Sequence, residues 1–80
     1  MRAEEISNLI QSAMPQARVM VRGDDGAHFE AIIVAPDFRG LARLKRHQLV
    51  YAALGEAMEG AIHALTIQTL TPEECADADA

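Results

Sequence analysis

Apolar and polar positions along the chain alternate with two different periods, and the switches between them mark the elements. From Ala3 to Met14 the residues Ile6, Leu9, Ile10 and Ala13 recur at i, i+3, i+4 and i+7, one face of an amphipathic helix. Glu4 and Glu5 suit the positive end of its dipole, and Pro15 disfavours helical geometry at Met14. From Ala17 to Arg22 the period changes to two: Val19 and Val21 alternate with Arg18, Met20 and Arg22. Gly23-Asp24-Asp25-Gly26 is turn chemistry, and His28 to Val34 is a second strand with Phe29, Ala31 and Ile33 on one face. So short a link predicts an antiparallel hairpin.

Pro36-Asp37 breaks the second strand. On a helical wheel centred on Val50, the residues Arg46, His47, Ala53, Leu54 and Ala57 fall within about 60 degrees, with Met58 just outside. Extending that helix backwards puts Arg43 in the apolar stripe, where a cation is costly. The pattern therefore predicts a short helix from about Gly40, a break near Arg43 to Lys45, and a longer helix to about Met58, with Gly60 as C-cap. Ile62 to Leu70 is β-branched and alternating, a third strand. Thr71 and Pro72 are an N-cap and first helical residue for a final helical turn, and the residues from Asp77 to Ala80 read as a frayed acidic tail after a single domain over residues 1–76.

The order is helix, strand, strand, helix, helix, strand, short helix. A crossover through helices returns the chain parallel to a strand already in the sheet. The expected fold is an α+β two-layer sandwich, with helices on one face of a three-stranded mixed sheet. At 80 residues the chain has room for one small core, and with three aromatic residues and no Trp that core is aliphatic.

Composition narrows the chemistry. The longest apolar runs, such as Ala31 to Pro36, fall far short of the ~20 residues that cross a bilayer, and the N-terminal stretch lacks the apolar segment of an export signal. The single Cys75 forms no internal disulfide and no Cys-x-x-Cys pair, so a cytoplasmic setting is expected. Net charge is −5, yet all seven Lys and Arg precede Leu70, while Glu73, Glu74, Asp77 and Asp79 follow it. Between Arg39 and Arg46 lie four cations, Arg39, Arg43, Lys45 and Arg46, and no acid. An enzyme is not expected: there is no nucleophile elbow, no phosphate-cradling glycine loop and no His-Glu-x-x-His, and Ser7 and Ser12 lack a nearby base.

Three histidines remain. His63 opens the third strand, two residues before Leu65, and serves either as a core-edge histidine bonded to a carbonyl or as a metal ligand. His28 sits at the hairpin exit beside Asp24 and Asp25. His47 lies on the apolar stripe beside Arg46, a place for packing or hydrogen bonding inside the fold.

Phe38-x-Gly40, Arg46-His47-x-x-Val50, Ile62-His63-Ala64-Leu65 and Thr71-Pro72-Glu73-Glu74, with the His28-Phe29 hairpin exit, together resemble the BolA family. The short Gly-Asp-Asp-Gly-Ala-His-Phe hairpin looks most like its bacterial IbaG (YrbA) branch. The resemblance covers residues 3 to about 74 and implies a fold similar to the type II KH domain. It also implies a heterodimer with a monothiol (CGFS) glutaredoxin, either apo or bridging a [2Fe–2S] cluster, in iron–sulfur trafficking or in iron and stress sensing. In such complexes the glutaredoxin cysteine and a glutathione thiolate hold one iron, and the histidine opening the last strand, here His63, contributes to the other; no cofactor is expected in the isolated chain. Many members supply a second ligand from the hairpin loop. That position carries Asp25 here, a poor match for a soft iron site, and His28 nearby is the candidate substitute. Cys75 stands where members commonly carry Trp.

The competing expectation is a nucleic-acid-binding transcriptional regulator using Arg39, Arg43, Lys45 and Arg46 on the helix-turn-helix-like segment. Against it, Gly40-Leu41-Ala42-Arg43 lacks the second glycine of the KH signature. The same cations could equally form a glutaredoxin docking surface that recognises carboxylates.

Overall fold

The computed structural model describes residues 2–23, 28–58 and 64–79. Helix α1 (Ala3–Ala13) leads into strand β1 (Arg18–Arg22), then β2 (His28–Val34), a 3-10 turn at Pro36–Phe38, helix α2 (Arg43–Leu54), a second 3-10 turn (Gly55–Met58), strand β3 (Ala64–Leu70) and helix α3 (Pro72–Asp79). The sheet order is β1-β2-β3, with β2 antiparallel to β1 and parallel to β3. This is the expected α+β arrangement on a mixed sheet.

Period two sorts the faces as the sequence predicts. Phe29, Ala31 and Ile33 are buried, and Val19, Val21, Leu65 and Ile67 pack against them. Ile6, Ile10 and Met14 from α1, Phe38 from the first 3-10 turn, and Val50 and Leu54 from α2 complete the core. The buried face of α1 is narrower than the predicted stripe: Leu9 and Ala13 are exposed, and Met14 takes the place beyond Ile10. Beyond the C-terminus of α1 the Gln11 amide donates to the carbonyls of Ala17 (2.7 Å) and Met14 (3.2 Å), which fixes the turn into β1.

Helix boundaries differ from the sequence reading in three places. The first of the two central helices is a 3-10 turn that ends before Gly40, and α2 begins at Arg43 itself. Gly40, at φ +78°, makes the left-handed turn between them. Arg43 therefore sits in the first turn of α2, exposed at the end of the stripe, and no break within Arg43 to Lys45 is needed. At its other end α2 stops at Leu54, because Gly55 at φ +56° turns the chain into the second 3-10 segment; Gly60 lies outside the described residues. Helix α3 runs two turns, not one.

Candidate functional site

Two regions carry the side chains singled out by the sequence, and β3 separates them. At one end of the sheet His28 is the first residue of β2, is exposed, and lies opposite Ala64, the first residue of β3. His63 and Asp25 lie outside the described residues. In sequence His63 is the residue before Ala64. Among the described residues no group of three or more His, Cys, Asp or Glu could hold a metal ion.

The second region is about 16 Å further along β3, at ~3.3 Å per residue. Here the four cations divide into two kinds. Arg46 is largely buried and tied to four elements at once. Its Nε donates to the Leu41 carbonyl (2.7 Å), one Nη to the Thr69 carbonyl (3.4 Å), and the guanidinium forks onto the Glu74 carboxylate (2.6 and 3.4 Å). It also lies 6.0 Å from the centre of the buried Phe38 ring, within cation–π range. Arg39 pairs with Glu73 at 2.6 Å, with both side chains more than half exposed. Arg43 and Lys45 are exposed and form no ion pair among the described residues.

Glu74 closes a reciprocal cap on α3. Its carboxylate accepts the Thr71 N–H (2.8 Å), while its own N–H donates to Thr71 Oγ1 (3.1 Å). The Arg46 hydrogen bond, followed by the backbone bond from Thr71, holds the Glu74 pKa down at about 2. The Arg39 hydrogen bond lowers that of Glu73.

Between the start of α2 and β3 lies a cleft of about 570 Å³. Arg43, Arg46 and His47 line one wall and Ile67, Gln68 and Thr69 the other. His47 is half-buried in that wall. A hollow of similar volume opens on the face of the sheet opposite the core, bounded by Met20, Ile32, Val34 and Leu70 of the strands and Cys75 of α3.

Sequence reasoning picked out the four cations but missed what occupies two of them. Thr71-Pro72-Glu73-Glu74 reads in sequence as a helix cap; that its two acids also reach back 34 and 28 residues to Arg39 and Arg46 has no local signature.

The sequence profile described as BolA-like protein matches residues 4–74. The chain is 39% identical over 95% of its length to the acid stress protein IbaG of Escherichia coli K12, of which the match covers 90%. It is 42% identical over 66% of its length to the DNA-binding transcriptional regulator BolA of Haemophilus influenzae, and there the match spans only half of the relative. The structure of a bolA protein homologue from Coxiella burnetii superposes with a TM-score of 0.84 at 42% identity, covering 95% of this chain and 97% of the other. Fold, profile and relatives agree: the chain belongs to the BolA family.

Proposed function

We propose that this chain is a non-enzymatic adaptor that pairs in the cytoplasm with a monothiol (CGFS) glutaredoxin and shares with it, and with glutathione, a [2Fe–2S] cluster as cargo in iron–sulfur trafficking or stress sensing. The supporting observation is the register that sets exposed His28 opposite Ala64, beside the chain position of His63. Imidazoles there suit one iron of a bridged cluster, whose other ligands come from the partner. Imidazole in place of thiolate raises the reduction potential of the iron it binds, so the cargo is more readily reduced or released. His63 is the proposed principal ligand and His28 the second.

The test is reconstitution with such a glutaredoxin, glutathione, iron and sulfide, followed by visible absorption and circular dichroism. His63→Ala is expected to change the dichroism and shorten cluster lifetime, and His28→Ala to do so more weakly. A His63→Ala complex with wild-type spectrum and lifetime refutes the ligand assignment.

A second reading, DNA binding, draws on the name of the Haemophilus relative and on the exposure of Arg43 and Lys45. With Arg39 and Arg46 held by Glu73 and Glu74, two cations of this segment remain to meet phosphates. The logarithm of affinity should then fall with that of salt at a slope of about −2. Duplex binding that is absent at low salt, or unchanged by Arg43→Gln with Lys45→Gln, removes this reading.

A further inference from the structure

We infer that the cleft between α2 and the free edge of β3 is a docking site for an extended, acidic peptide segment of a partner, which adds to the sheet as a fourth strand. Two hydrogen bonds establish the polarity of that edge. The Leu70 carbonyl accepts the Ala35 N–H (2.9 Å), so it points toward β2. The Thr69 carbonyl accepts from Arg46, so it points away from β2. Because successive residues of a strand alternate sides, and the N–H and C=O of one residue share a side, Ile67 and Leu65 also direct both groups away from β2. Among the described residues no strand pairs with β3 on that side. An unpaired edge of this kind is a template for strand addition.

Charge selects the peptide. Arg43 and His47 face the edge across the cleft, and α2 has neither a side-chain N-cap nor an acid in its first turn. A carboxylate beside the added strand therefore meets a guanidinium that has no ion pair among the described residues, and the positive end of a helix. Thr69 is already capped by Arg46 at one end, which leaves Ile67 and Leu65 as the pairing positions. The cleft volume of about 570 Å³ is in the range of ligand sites, ~300–1,000 Å³. A peptide backbone offers this edge both N–H and C=O groups at the strand's own spacing, whereas a phosphodiester backbone offers acceptors alone.

The experiment titrates the ¹⁵N-labelled full chain with acetyl-Val-Asp-Val-Asp-Val-amide, recording amide spectra and hydrogen exchange. Amides of Leu65, Ile67, Thr69 and Arg43 should shift, and exchange at Ile67 should slow. Arg43→Glu, at an exposed position, should weaken binding about tenfold by reversing one charge contact. Methylating the central peptide nitrogen leaves the protein untouched and should weaken binding about fivefold, the worth of one hydrogen bond. The proposal is overturned if millimolar peptide shifts none of these amides, if the shifts centre on Met20 and Ile32, if the lysine analogue binds as well, or if a single-stranded oligonucleotide displaces the peptide from the same amides at lower concentration.

Discussion

Arg46 and Glu74, 28 residues apart, meet at 2.6 Å, and the carboxylate that receives the guanidinium is the one that caps α3 through the Thr71 N–H. One acid thus completes a helix terminus and anchors that helix to α2. The guanidinium also satisfies the Leu41 and Thr69 carbonyls, so a single side chain joins the loop after the first 3-10 turn, α2, β3 and α3.

Arg46→Met retains the aliphatic stem over Phe38 and removes every donor. It should destabilise the fold by about 1–3 kcal/mol, the range for leaving such acceptors unpaired, as read from urea denaturation. Arg39→Met, whose ion pair is exposed on both sides, should cost under about 1 kcal/mol.

The pH dependence of that anchor has a definite sign. Glu74 has a folded-state pKa of about 2, below its ordinary 4.5, so its stabilising contribution is fully present above pH 4.5 and is lost as pH falls toward 2. Urea midpoints for wild type and Glu74→Gln, measured from pH 7 to pH 2, should differ by a constant amount down to about pH 4.5 and converge below it. Divergence as the pH falls would contradict the assignment.

Gly23 carries no side chain for a steric reason. A Cβ there would overlap the ring of buried Phe29, so Gly23→Ala should cost about 1–3 kcal/mol through overpacking. Gly40→Ala meets no atom within 4 Å and bears only the backbone cost of φ +78°, about 1–2 kcal/mol. Repacking at Phe29 separates the two: only Gly23→Ala should perturb the Phe29 ring resonances.

Neighbouring isoleucines on β2 test the two faces of the sheet. Ile33 is fully buried and Ile32 is half-buried on the face opposite the core. Ile33→Ala should cost about 2–5 kcal/mol, and Ile32→Ala less than half of that, in the same denaturation measurement.

Periodicity alone was enough for the element order, the hairpin and the buried faces of β1 and β2, because alternation by two or by 3.6 residues is a local property that burial on one side imposes on each segment. The motif series from Phe38 to Glu74 was enough for the family. Tertiary structure decided where α2 begins, since the wheel puts Arg43 on the core side and only the turn at Gly40 carries it past the end of the core. It also decided the fate of the basic cluster. In sequence Arg39, Arg43, Lys45 and Arg46 form one run of cations with no acid among them, but α3 folds back to place Glu73 and Glu74 against two of them and leaves Arg43 beside an open strand edge. An ion pair across 28 residues depends on the packing of every element between its partners, and no window of sequence contains that packing.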